Sequence, residues 1–290
     1  MKLQQLKSLA VLGILVFATV RGHALTVSVA PGGDIQSAIN SVSAAGGGTV
    51  NVTSGTATIS TALVMASNVT LNGAGNPTTT LNLSSSIANG ITISGSTWSN
   101  INVQNIKIWG AGTTIAQNGV DLGSSTVGSG GGMTNVQSAN LGYDGGKICG
   151  SNESVTSCNF HDAGLNYYYH GFYFLGGSGT VFSGNQFNHS PYGSGLHVNN
   201  WVTISGGTSK SNTSSNNGQE GHSFTANTSN TYNNYTISNC TANSNGFAYT
   251  SGTYYGFYLG SGSGTITGCT ATGNNGAGYY YGGFSGSNNN

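Results

Sequence analysis

Charge is what this 290-residue sequence has least of: aspartate, glutamate, lysine and arginine make up 4% of it. Its one arginine, Arg21, falls within the first 24 residues, as do Lys2 and Lys7. The remainder of the chain carries only Lys107, Lys147 and Lys210 against Asp34, Asp121, Asp144, Glu153, Asp162 and Glu220. A nucleic-acid partner needs a basic face for its phosphates, so that class is excluded. Three prolines are too few for a linker protein, and no apolar run reaches membrane-spanning length. The scarcity of charge does not mean disorder, because valine, isoleucine, leucine and aromatics recur throughout. The opening "MKLQQLK", the apolar "LAVLGILVFATV" and the small-residue "GHA" read as a secretory signal peptide over residues 1–24, cleaved near Ala24. The expectation is an exported chain, extracellular, periplasmic or at the cell surface, with residues 25–290 as one domain.

What is present in excess is glycine, 49 residues, with asparagine, serine and threonine filling much of the rest. There is no Gly-X-Y period, so collagen is excluded. A glycine followed by an apolar–x–apolar strand returns as "GITI", "GVDL", "GKIC", "GFYF", "GLHV", "GHSF" and "GFYL", at intervals of 24 to 35 residues. A second strand recurs out of phase, as in "GTVFSGNQF" and "YTISNCTA". The longest interval holds an insertion within "NTSNTYNNY" or "GFAYTSGTYY". Such a unit cannot bury its apolar face alone, but stacked on its neighbours it forms a continuous core. The constant return favours an all-β solenoid over an antiparallel sandwich.

The N-terminal stretch "APGGDIQSAINSVSAAGGGTVNV" reads as a short helix with Asp34 as N-cap and Ile35, Ala38, Ile39 and Val42 on one face, ended by Gly46–Gly48. With the following "SNVTLNGAGN", it resembles the opening of the pectin-lyase-like family of secreted proteins, closely over residues 30–76. The resemblance implies a right-handed parallel β-helix, with an N-terminal capping helix over about 30–48 and rungs over about 49–281. That fold hosts lyases, hydrolases, epimerases, phage depolymerases and adhesins, so it leaves the activity open. The Asp-Asp pair of polygalacturonases, the catalytic arginine of pectate lyases and the Asp-Pro-His element of mannuronan epimerases are all absent.

Alternation along each strand places Phe172 and Phe174 inward and Tyr173 outward. The same count gives an outward ladder of Thr92, Asp121, Ile148, Tyr173, His197, Ser223 and Tyr258. His170 precedes its glycine, and the equivalent positions are Asn118, Gly145, Ser194, Glu220, Tyr255 and Tyr281. Lys147 and His222 fall on inward slots, where an unpaired polar group is costly. Apart from Asp34, every ionisable acid, lysine and histidine after residue 24 lies between Lys107 and His222.

That clustering points to a site in the central rungs. β-Elimination of a uronate polysaccharide needs a base, an acid and a group that neutralises the carboxylate. His197, His170, Tyr173, Glu220 and His222 are the candidate catalytic residues, and Lys147, Tyr168, Tyr169 and Tyr192, with Tyr167, are candidate substrate contacts. Asp121, Asp144 and Asp162 are candidate ligands for a calcium ion. The expected partner is an extracellular polysaccharide. Hydrolysis by Glu220 with Asp162, a zinc site of His161, His170 and His197, and a His–Ser–Glu relay through Ser194 are weaker readings. The competing class is a non-catalytic carbohydrate-binding or adhesive surface protein. Cys149, Cys158, Cys240 and Cys269 permit disulfides, with Cys240–Cys269 the favoured pair.

Overall fold

The computed structural model describes residues 24–290, apart from residues 96, 113–114, 124–127, 165–167, 203, 226–231, 248–251, 261 and 290. The expected leader and Tyr167 therefore lie outside the described residues, as do parts of both insertion segments. The chain winds as a parallel β-solenoid, and every strand pairing is parallel and links one turn to the next. A representative turn contributes Thr180–Ser183, Gln186–Asn188 and Leu196–Val202. These pair with Ile204–Lys210, Thr213–Ser215 and His222–Thr225 of the next turn. The first two ladders merge into one 18-stranded sheet, because Asn102–Trp109 and Gly132–Ala139 run through the bend between them. The third ladder is a separate nine-stranded sheet.

The bends explain the asparagine content. Asn105, Asn135, Asn140, Asn216 and Asn239 all have φ between 52° and 60°, a region asparagine enters more readily than other residues with a side chain. Other asparagines point inward and replace backbone partners. Asn217 donates its amide to the Phe187 carbonyl and to Asn245 Oδ1, and Asn245 repeats the pattern onto Asn274. The central turns bury Phe160, Phe172, Phe174, Phe182 and Phe187, with Phe160 and Phe172 edge to face at 4.8 Å. All four cysteines are free and buried. Cys240 donates its backbone N–H to Cys269 Sγ at 3.4 Å, so the expected pair is stacked as small rung fillers rather than bonded.

One helix, Ile35–Ala44, occurs among the described residues. Asp34 accepts from the Ser37 backbone N–H at 2.8 Å, and Ile35, Ala38, Ile39 and Val42 are buried. That face packs on the first strands of both sheets. No helix among the described residues is long and apolar enough to cross a membrane.

The strand register corrects the sequence reading at one rung. Lys147 pairs with Asp121 and Tyr173, whereas Gly146 takes the inward slot between Val120 and Phe172. Ile148 is therefore buried and Lys147 faces outward. The cause is the doublet Gly145–Gly146: the second glycine leaves room for the Phe160 and Phe172 rings, which would lie 2.6–2.7 Å from a Cβ there. The outer ladder thus runs Thr92, Asp121, Lys147, Tyr173, His197, Ser223, Tyr258 and Tyr280. The turn ladder shifts as well. Asp144 and Ala277, not Gly145 and Tyr281, occupy the positions equivalent to His170.

Candidate active site on the nine-stranded sheet

The outer ladder and the turn ladder meet along one edge of the nine-stranded sheet. Each central rung supplies a pair three residues apart: Asp144 with Lys147, His170 with Tyr173, Ser194 with His197, and Glu220 with Ser223. Adjacent rungs lie about 4.8 Å apart, so these eight residues span only four strands.

At the centre, the rings of His170 and His197 stack at 4.2 Å, with Tyr173 5.3–5.4 Å from both. Backbone geometry fixes the His170 tautomer. Its Nδ1 accepts the Ser194 backbone N–H at 3.0 Å, so the neutral ring carries its proton on Nε2. His197 is held in the same Nε2–H tautomer, but by a different partner. The Thr225 hydroxyl donates to the Val198 carbonyl and its oxygen accepts Nε2–H of His197 at 3.2 Å. Nδ1 of His197 is then a lone pair, covered from solvent and without a hydrogen-bond partner among the described residues. Burial keeps both rings neutral. It lowers His197 to about 4 and, with His197 alongside, holds His170 well below the usual histidine range.

Around this pair, Asn199 donates to the Tyr173 hydroxyl at 3.1 Å. Ser194 donates its hydroxyl to Glu220 at 3.0 Å, and burial raises the Glu220 pKa. Ser194 therefore offers His170 only its backbone N–H, and no hydroxyl-to-imidazole relay forms. Lys147 lies 3.8 Å from Asp121. Asp144 is buried, accepts the His170 backbone N–H at 2.8 Å, and is pushed up to about 7 by burial.

The remaining candidates fall elsewhere. His222 is in the core between Leu196 and Phe257, stacked on Phe257 at 4.9 Å, with Nε2 donating to the Thr241 carbonyl. Its full burial leaves no access for a ligand, which corrects its candidacy as a catalytic group. Asp162 is at the other end of the connection that leads to His170, just after the strand Asn159–His161, where it accepts from Nδ1 of both His161 and His189. It is thus separate from Asp121, which faces Lys147, and Asp144, which holds His170. Among the described residues, no group of three histidines, cysteines, aspartates or glutamates is placed to hold a metal ion. The three aspartates do not form a calcium site, and the three histidines do not form a zinc site. Tyr169 stacks on Tyr143 at 3.8 Å near Asp144, and Tyr168 is exposed. Tyr192 is exposed beside His189, away from the stacked histidines.

The sequence reading placed Tyr255 and Tyr258 on the two ladders but named neither as a site residue, and did not place Tyr280. Tyr255, Tyr258 and Tyr280 pack against one another at 4.8–6.1 Å and extend the site by two rungs. Both ladders run through them, so the register was the signal that could have found them.

No protein-family model matches the sequence, and no curated protein matches it. Solved structures with similar folds include the enzymatically active domain of tailspike protein 2 from bacteriophage CBA120. It has a TM-score of 0.58 and 14% identity, over 90% of this chain and 47% of that domain. Pectate lyase Pel9A has a TM-score of 0.55 and 17% identity, over 86% and 63% of the two chains. DFA-IIIase from Arthrobacter chlorophenolicus A6 has a TM-score of 0.55 and 11% identity, over 87% and 67%. The chain spans about half the length of the tailspike domain. Its fold is a parallel β-helix like theirs.

Proposed function

We propose that the protein is an exported polysaccharide lyase that cleaves a uronate polysaccharide by β-elimination on the outer face of its central rungs. The observation that carries this reading is the stacked His170–His197 pair, both rings neutral with their protons on Nε2, beside Tyr173 and one rung from Lys147. The solved structures of similar fold support the substrate class, since they include a pectate lyase and a tailspike described as a capsular polysaccharide depolymerase.

Lys147 meets the uronate carboxylate and stabilises the negative charge that grows on it as the neighbouring proton leaves. His197 is the base: its ring is partly exposed, and Nδ1, covered in the free protein, takes that proton from the sugar carbon once substrate binding turns the ring towards it. The electron pair of the broken C–H bond forms the new C=C bond, and the glycosidic C–O bond breaks. Tyr173 gives its proton to the departing oxygen, while the neutral His170 donates a hydrogen bond from Nε2. No step requires calcium. We also propose that the Ile35–Ala44 helix covers one end of the solenoid core.

A second reading is supported by the stacked Tyr255, Tyr258 and Tyr280, which would bind a glycan without turning it over. Incubation with a panel of uronate polysaccharides, with and without a chelator, separates the two. The lyase reading expects new ultraviolet absorbance on one substrate, unaffected by the chelator and lost in His197→Ala protein that keeps its melting temperature. Absence of both absorbance and new reducing ends on every substrate refutes turnover and leaves the binding reading.

A further inference from the structure

Ten of the ionisable residues between Lys107 and His222 fall into two groups rather than one. Asp121, Asp144, Lys147, His170, His197 and Glu220 line the site described above, whereas Lys107 and His161 stand on the second ladder, with Asp162 and His189 at the end of its strands, where the chain turns towards the third. His189 of the second group borders a groove of about 330 Å³, lined also by Pro191, Tyr192, Asn216, Gly218 and Phe247.

We infer that this groove is a second carbohydrate-binding site, for an uncharged sugar unit. Phe247 and Tyr192 are 63% and 42% exposed, among the most exposed large aromatics of the described residues, and both line the groove. A few polar groups set among aromatic walls is the usual make-up of a small-ligand site, and the C–H face of a sugar ring packs on aromatic faces. The polar groups are oriented in advance. Asp162 accepts Nδ1–H from both His161 and His189, and Gln137 donates to the Nε2 of His161 at 2.7 Å. With its Nδ1–H given to Asp162, the His189 ring turns Nε2 outward on a side chain that is 60% exposed, within reach of a sugar hydroxyl.

The floor of the groove is held by backbone bonds from Gly218 to the Ser190 carbonyl and from Gly246 to the Asn217 carbonyl, both 2.8 Å. The Asn217 amide, buried beneath, is locked onto Phe187 and Asn245. Charge decides the ligand class. No lysine lines the groove, and Lys107 on the same face is held over the Trp109 ring at 4.3 Å. The Asp162 carboxylate beside His189 disfavours an anionic sugar, and no lysine of the lining offsets it.

The test is affinity electrophoresis of the purified protein in gels containing one soluble neutral polysaccharide each: a β-1,4-glucan, a β-1,3-glucan, a mannan and an arabinogalactan. One of them should retard the protein. Phe247→Ala and Tyr192→Ala should each weaken that retardation about tenfold, while Phe247→Tyr preserves it. His197→Ala should bind like the parent, which places the interaction outside the active site and keeps the test independent of lyase activity. The inference is overturned by absence of retardation in all four gels. It is equally overturned by parent-like binding of both alanine variants, by loss of binding in His197→Ala, or by an effect of Phe247→Ala on self-association alone.

Discussion

A lone pair on His197 and a proton on Nε2 of His170 are properties of single atoms, and they predict a pH profile unlike that of exposed histidines. Burial holds His197 at about 4, so its lone pair is available throughout the mildly acidic range and is lost only as pH falls through about 4. The alkaline side belongs to Asp144, at about 7. Above that pH its carboxylate ionises beside Lys147 and competes with the substrate for the one lysine of the site. Initial rates on a uronate oligosaccharide should give a bell in kcat/KM with limbs near 4 and 7, and Asp144→Asn should remove the alkaline limb while leaving the acid limb in place. An acid limb at about 6.5 would instead assign the base to a solvated histidine. These tautomers were not legible in the sequence. They depend on the Ser194 backbone N–H and the Thr225 hydroxyl, donors whose direction is set by the stacking of turns 24 to 28 residues apart in the chain.

Individual strands show where the sequence was sufficient and where it was not. The helix was legible because Asp34 and the spacing of Ile35, Ala38, Ile39 and Val42 are local signals. Strand direction at "GFYF" and "GLHV" was legible because a single glycine precedes each, whereas the doublet at Gly145–Gly146 allowed two registers and the inward count selected the wrong one. Packing of two phenylalanine rings decides it, which predicts that Gly146→Ala costs about 1–3 kcal/mol. Phe172→Leu in the same chain should recover part of that loss in urea unfolding, because the two residues share one space. His222 gives this scale a second test. Its folded pKa of about 4 lies below the unfolded value of 6.5, so the unfolded chain binds the proton first and stability falls as pH drops from 6.5 towards 4. Asp144 and Glu153, raised to about 7 by burial, act in the opposite sense: their contribution is present at low pH and is lost as pH rises through about 7. His222→Leu, matching Leu196 on the adjacent strand, should be less stable than the parent by about 1 kcal/mol at pH 8, where the Thr241 carbonyl loses its donor. At pH 5 the order should reverse, because the variant is spared a penalty on the order of 2 kcal/mol. Parallel stability curves for variant and parent would show that His222 is not held neutral in the core.

The molecule as a whole supplies a ruler. From Lys147 to Tyr280 the outer ladder crosses six adjacent strands, with the cation at one end, the stacked histidines next, and three tyrosines at the other end. A pyranose unit is close in length to the strand spacing of about 4.8 Å, so a chain laid along the axis would place roughly one sugar on each rung. A uronate oligosaccharide of about six units would then reach from Lys147 to the tyrosines, whereas a trisaccharide held at the histidines would not touch them. KM should therefore fall as substrates lengthen from three to about six units and level off beyond that, with kcat changing less. Tyr258→Ala and Tyr280→Ala should raise KM for the hexasaccharide and leave the trisaccharide unchanged, because binding far from the bond being cleaved is lost only by a substrate long enough to use it. Salt should matter little to this gain, since the tyrosine end carries no charge apart from Glu220, and packing rather than ion pairing holds the added sugars. If both variants instead raise KM for trisaccharide and hexasaccharide equally, the glycan crosses the rungs rather than following them, and the ladder of tyrosines serves the packing of the last turns.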